Sequence, residues 1–396
     1  MTTQQTLTEA IQAISEDIIS WRRHLHQYPE ASLKEVETSK YIQNQLKAWG
    51  IPFQRVGETG TIAALTGTKG AGKTIVLRAD IDALELPDKT GAVYQSKNEG
   101  LNHACGHDGH TAALLGALKV LKDHRHTFPG TIKFAFQQAE EIGAGAKHFV
   151  QGDFLNDADQ VFGIHLASYL PVGQLAATPG AVNASCDIFY ITVSGFSSHV
   201  SQPHVGRDAL LAAASIVVEL QKIVAREIDP FDPAVVGIGR LDAGTRYNIV
   251  ANRARIEGTI RAFSHDTRAF LLKRVEEIAN EVAAAHRTTL SFRVHDAAAP
   301  LINHSEPAQR ARNVAATIVG ADNVVTDQQK SMGADDFADF LAAAPGVYGL
   351  VGSRNPDEPR THFGHHHEQF DIDERSLVLA ATYHTLYAID YLTQSS

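Results

Sequence analysis

The stretch Ala104-Cys105-Gly106-His107-Asp108-Gly109-His110, followed by the apolar run from Thr111 to Leu121, sets one thiol and two imidazoles in a short turn that hands over to a helix. On either side of it, Thr61 to Leu65, Thr74 to Arg78, Thr131 to Phe136 and Val161 to His165 read as short buried strands, and Gly145 to Val150 as a further helix. Strands and helices that alternate in this way predict an α/β layer built on a mixed, mostly parallel sheet. Ahead of them, Ile11, Ile14, Ile18, Trp21 and Leu25 recur at three- and four-residue steps, which predicts one helix running up to Pro29. Ser32 and Glu35 have the spacing of a capping box for a second helix, whose stripe Val36, Ile42, Leu46 and Trp49 ends at Gly50 and Pro52.

After Thr178-Pro179-Gly180 the texture changes. A strand from Asp187 to Val193, a helix from Asp208 to Arg226, strands at 234–239 and 254–262, a helix from Asp266 to Ala285 and a strand from Thr289 to Val294 follow in order. This β-α-β-β-α-β succession is the ferredoxin-like α+β motif, a unit that folds on its own sheet. The expected organisation is a two-domain chain: residues 1–182 and 297–396 form one domain, and 183–296 are inserted into it. The tail resumes the first texture, with a strand near 345–351 and a closing helix from Leu377 to Leu392. Every ligand-rich segment falls in the outer, two-piece domain, so the insertion is placed to act as a lid.

Bulk properties narrow the function classes. A chain of 396 residues exceeds the size at which a single core stops growing. Its formal charge of −10 argues against a nucleic-acid or anionic-membrane partner, which would need basic surface, but leaves anionic small substrates open. Met1 to Ala10 is polar without an apolar h-region, and no run of about twenty apolar residues occurs, so a cytoplasmic location is expected. Two cysteines cannot form a disulfide framework. Cys186, in a strand-like run, reads as a small buried hydrophobe, whereas Cys105 stands among metal-ligand residue types.

A thiolate at the start of a helix is stabilised by the helix dipole, and a bound metal deprotonates it outright. Cys105 and His107 can converge on one ion while His110 points elsewhere. Glu140 and Glu141 follow the strand at 131–136 and precede Gly143 and Gly145, so two carboxylates stand where one can ligate metal and the other can move a proton. His165 lies in the apolar run of the next strand, and His362 to His367 offers a further ligand near the far end. Asp80 and Asp82 alternate at the end of the strand begun at Thr74, where they can orient a ligand or base.

Taken together, the chain resembles the M20 metallopeptidase superfamily, specifically its aminoacylase-like amidohydrolases, the group of the hippurate and auxin-conjugate hydrolases. The resemblance runs in order through 78–84, 104–110, 139–146, 163–171, 195–203, 248–261, 332–340 and 366–374. It implies a catalytic domain with two divalent metal ions and an inserted lid that makes a homodimer or higher oligomer. It implies Cys105, His107, Glu141, His165 and His366 as ligands, with Cys105 bridging, Glu140 as general base and Asp82 as its support. It implies His199 as a donor to the developing oxyanion, and Asn248 and Arg261 as contacts to the substrate carbonyl and carboxylate. Two departures stand out: Phe196-Ser197-Ser198 precedes His199 where lysine and glycine are usual, and Glu368 replaces a usual proline, so His366 is chosen over His365 and His367 by its distance from Phe370. A thiolate favours zinc, while carboxylate and imidazole also accept manganese, cobalt or nickel. The planar fork of Arg261 matches a carboxylate, so the expected substrate is an N-acyl amino acid, cleaved to a carboxylic acid and an amino acid. A dipeptidase or aminopeptidase of the same superfamily, or a metal-binding protein without turnover, is the alternative.

Overall fold

The computed structural model describes residues 2–394. In chain order its elements are α1 (Thr3–Ala13), α2 (Ser15–Gln27), α3 (Val36–Ala48), β1 (Phe53–Val56), β2 (Gly60–Thr66), β3 (Thr74–Asp80), α4 (His107–Asp123), β4 (Thr131–Gln137), α5 (Ala146–Gln151), β5 (Gln160–Pro171) and β6 (Leu175–Ala176). They continue with β7 (Gly180–Asn183), β8 (Cys186–Ser194), α6 (Ala209–Leu220), α7 (Lys222–Arg226), β9 (Ala234–Ala243), β10 (Arg253–Ala262), α8 (His265–Ala285) and β11 (Thr289–Ala298). The last are β12 (Leu301–Asn303), α9 (Ser305–Val319), β13 (Val324–Val325), α10 (Phe337–Ala343), β14 (Gly346–Arg354) and α11 (Arg375–Gln394). The chain forms two compact units, one holding residues up to Gly180, Ile302–Gln329 and everything from Asp335 on, the other Ala181–Leu301 with Lys330–Ala334.

The larger unit is built on an eight-stranded sheet in the order β1-β2-β4-β3-β5-β14-β6-β13. Its centre, β4-β3-β5-β14, is parallel, while β1, β2 and β6 add antiparallel pairings toward the edges. Buried on both faces, central strands read as apolar runs, and Ile132, Phe134 and Phe136 of β4 are each 0 % exposed. Helix α4 enters the interior at its N-terminal end, with every residue from His107 to Leu118 buried. Because β3, β4 and β5 run in parallel register (Asp80↔Gln137, Arg78↔Gly163), their carboxyl ends open on one edge, where open α/β sheets bind ligands.

The smaller unit is an antiparallel sheet in the order β11-β8-β10-β9. Phe189, Ile191 and Val193 of β8 with Ile256 and Ile260 of β10 pack on Ile216 of α6 and on Leu271, Val275 and Ile278 of α8. This is the ferredoxin-like unit, and the chain is a two-domain α/β protein. No helix among the described residues is long and apolar enough to cross a membrane.

Three local expectations change. The first helix is two, because Ile14 leaves helical geometry (φ −107°, ψ 18°) and α2 restarts at Ser15. The capping box before α3 does not form: Ser32 Oγ donates to Asp82 at 2.6 Å, and Glu35 turns inward to accept from Thr59 Oγ1 at 2.7 Å and from the Ala139 amide at 2.8 Å. Tertiary partners outbid the local cap. Cys186 opens β8 half-buried rather than buried.

Candidate metal centre

Gly106 takes φ +89°, a left-handed turn between Cys105 and His107 that glycine adopts freely, and α4 begins at the next residue. His107 Nδ1 donates to the Asp82 carbonyl at 3.0 Å and lies 3.3 Å from the Asp82 carboxylate. That puts a proton on Nδ1 and turns Nε2 toward the acidic side of the site. Nε2 lies 3.8 Å from Glu141 Oε1 and 3.6 Å from Asp80 Oδ2. Both His107 Nε2 and Glu141 Oε1 are buried without a hydrogen-bond partner.

Glu140 and Glu141 follow Ala139, whose φ of +53° is unusual for a residue with a Cβ. The conformation is over-determined: the Ala139 amide donates to Glu35, and its carbonyl accepts from Ala144 at 3.1 Å and Gly145 at 3.3 Å. Asp82 Oδ2 meanwhile accepts from the Glu141 amide at 3.1 Å and from Ser32. Asp82 thus holds both the His107 ring and the turn carrying the two glutamates.

His165 Nε2 faces Cys105 Sγ at 3.5 Å. Of the three consecutive histidines, His366 is the one directed at this group: its Nε2 lies 3.4 Å from Glu141 Oε2, its φ is +63°, and its amide donates to the Ala104 carbonyl at 2.8 Å. His365 Nε2 bonds the Leu166 carbonyl at 2.9 Å, and His367 stacks on Phe363. Cys105, His107 and His165 therefore offer one close set of donor atoms, and Cys105, Glu141 and His366 a second, sharing the thiol. His110 is turned away, its Nδ1 on Asp80 at 2.6 Å and its Nε2 accepting from the Leu166 amide at 2.9 Å.

The electrostatics agree with a cation-seeking pocket. Burial pushes the Cys105 thiol up, with the Glu141 carboxylate adding to it. Burial opposes protonation of His107, yet Asp80 and the Cys105 sulfur hold its pKa well above the usual imidazole range. Contacts with Cys105 and Glu141 push His366 up to about 10. These are the marks of excess negative charge, which a proton or a divalent cation relieves. Glu140 is also pushed well up, by burial first and then by Asp335, Glu141 and Asp336.

Behind Glu140 lies a cluster that sequence reasoning did not assign. Arg78, fully buried, binds Asp80 at 2.7 Å, Asp335 at 3.2 Å and Asp336 at 3.1 Å, and donates to Gln137 at 2.8 Å. The Tyr348 hydroxyl donates to Asp335 at 2.6 Å. An Asp-Asp pair just before a short helix gives no local hint of this use.

His199, Asn248 and Arg261 belong to the smaller unit. His199 is exposed, and its Nδ1 accepts from the Ser201 amide at 3.1 Å, which puts the proton on Nε2. Asn248 lies on the neighbouring segment, its carbonyl accepting from Val200 at 3.2 Å, and its Oδ1 is buried without a partner. Arg261 stands on β10 opposite Val235, apart from these two in sequence.

Comparison with known proteins fits this arrangement. A family model described as Peptidase family M20/M25/M40 matches residues 76–389. An N-acetyl-L-cysteine deacetylase of Bacillus subtilis is 35 % identical over 94 % of this chain and 87 % of its own length. An Arabidopsis thaliana IAA-amino acid hydrolase ILR1-like protein is 34 % identical over 100 % of this chain and 90 % of its own length. The crystal structure of the Bacillus subtilis YxeP protein, described as a dinuclear metal binding peptidase from the M20 family, superimposes with a TM-score of 0.83 at 32 % identity, covering 97 % of this chain and 100 % of that one. With a family model spanning most of the chain and relatives matched nearly end to end, this protein belongs to peptidase family M20/M25/M40.

Proposed function

We propose that the protein is a metal-dependent amidohydrolase that cleaves N-acyl amino acids to a carboxylic acid and an amino acid. The observation that carries the reading is the pair of unpartnered buried donors, His107 Nε2 and Glu141 Oε1, facing one another beside the Cys105 thiol. Cys105, His107, Glu141, His165 and His366 would hold two divalent cations, zinc or manganese, with cobalt or nickel as alternatives. Bound there, such ions polarise a carbonyl and make water acidic.

The chain's own residues do the rest. Glu140, kept partly out of water beside Asp335 and Asp336, takes a proton from the attacking water and returns it to the leaving nitrogen, which departs as a neutral amine. Asp82 keeps the His107 ring oriented through Nδ1. His199 offers its Nε2 proton to the developing oxyanion, and Asn248 and Arg261 bind the substrate carbonyl and carboxylate. The inserted unit serves as lid and as dimerising surface, and the enzyme works in the cytoplasm.

A substrate panel tests the reading. Chelation with EDTA abolishes hydrolysis, zinc or manganese restores it, and N-acetyl, benzoyl and indole-acetyl amino acids are cleaved faster than free dipeptides. The relative described as a peptidase supports the opposite preference, and faster dipeptide cleavage would establish it. Activity that survives chelation would refute the metal-dependent reading altogether.

A further inference from the structure

Two further histidines pack against His165. His110 and His365 flank His165 edge to face, with ring centroids 4.5 Å and 5.0 Å from its own and interplanar angles of 68° and 63°. Between the three rings lie the backbone N–H and C=O of Leu166. Pairing of β3 with β5 ends at Arg78↔Gly163, so Leu166 stands beyond the reach of that neighbouring strand and its backbone groups turn to side chains. The Leu166 amide donates to His110 Nε2 at 2.9 Å. The Leu166 carbonyl accepts from His165 Nδ1 at 2.8 Å and from His365 Nε2 at 2.9 Å.

A backbone amide can only donate and a carbonyl can only accept, so the N–H and C=O of this one residue dictate three tautomers. His110 must carry its proton on Nδ1, where Asp80 Oδ1 receives it at 2.6 Å. His365 must carry its proton on Nε2, and His165 on Nδ1. His165 Nε2 is then left with a free lone pair, 3.5 Å from Cys105 Sγ. We infer that His110 and His365 are positioning residues that clamp the backbone N–H and C=O of Leu166 and so present the His165 Nε2 lone pair to the metal site. The inference rests on the reading of His165 as a ligand. It gives a physical use to the second histidine of the Cys-Gly-His-Asp-Gly-His run and to the first of the three consecutive ones. The clamp draws on α4 and on the loop before α11, elements far apart in the sequence.

Two measurements test it. In metal-free protein at neutral pH, nitrogen-15 NMR of the histidine rings shows the proton on Nδ1 of His110 and His165 and on Nε2 of His365; an Nε2 proton on His110 or His165 overturns the clamp. In zinc or manganese titrations, His110→Leu and His365→Leu bind one of the two ions about 10- to 100-fold more weakly, the loss expected when an outer partner of a ligand is removed. His110→Gln keeps an acceptor for the Leu166 amide and His365→Gln keeps a donor for its carbonyl, so both recover most of that affinity. Leucine variants that fold and bind both ions as the wild type does overturn the clamp, as do glutamine variants no better than leucine. A wild-type protein that binds no ion overturns the proposed function instead, and the ring tautomers then decide the clamp alone.

Discussion

Arg22 and Arg78 are both fully buried and both gather carboxylates, but their surroundings are balanced differently. Arg22 meets Asp108 at 2.8 Å, Asp371 at 2.9 Å and Glu374 at 3.5 Å. Further cations join it, with Arg23 on Glu374, Arg360 on Asp371 and His26 on Asp108. Burial disfavours charge on these acids, yet the Arg22 guanidinium holds Asp108 and Asp371 below the usual carboxylate range. Arg78 meets Asp80, Asp335 and Asp336; Asp80 is also met by His107 and His110, but among the described residues neither Asp335 nor Asp336 pairs with a second cation. There burial prevails, helped by Asp335, and pushes Asp336 up to about 8. The first cluster is neutralised and ties α2, the start of α4 and the segment after His366 together. The second crowds Asp335 and Asp336 onto one arginine beside the proposed base, the arrangement expected where chemistry needs a perturbed proton affinity.

The contrast can be broken most severely at Arg22. Arg22→Met removes the guanidinium that Asp108 and Asp371 share in the interior, and should cost about 3–5 kcal/mol of stability, read by urea or thermal unfolding. The sign of its pH dependence follows from the depressed carboxylates. Their contribution is fully present above the unfolded carboxylate value of about 4 and is lost as pH falls through the lower folded values, so the variant should lose less on acidification than the wild type. A loss under about 1 kcal/mol would show that the cluster is not the tie described.

Asp336→Asn should have a smaller effect of opposite sign. A carboxyl whose folded pKa is raised to about 8 favours folding most at pH below its unfolded value near 4, and that contribution is lost as pH rises through 8. In metal-free protein the variant should therefore gain stability relative to wild type between pH 5 and 9, by at least the roughly 1.4 kcal/mol of a single pKa unit. A pH-independent difference would contradict this account of Asp335 and Asp336.

Much of this architecture was legible in the sequence where the signal is local. The apolar runs of β3, β4 and β5 and the β8-to-β11 succession announce themselves by periodicity, and Cys105 and His107 by composition. What stayed hidden depends on contacts between distant segments. Arg22 sits on a helix where charges usually face water, yet it is 0 % exposed because Asp108 and Asp371 meet it from 86 and 349 residues away. Glu35 looks like a helix cap and is used to hold Ala139. Phe53–Val56 is a four-residue edge strand, too short and too polar to show alternation. The role of His110 is visible only once Leu166 is beside it.

The most direct test is Glu140→Gln, assayed together for bound metal and for hydrolysis of an N-acyl amino acid. The substitution keeps the size of the side chain, removes the proton acceptor and leaves the five donor residues in place. The expected result is undiminished zinc or manganese content with a rate lower by about 10²- to 10⁴-fold, the usual contribution of a positioned base. Metal-loaded Glu140→Gln protein turning over at the wild-type rate would contradict the account.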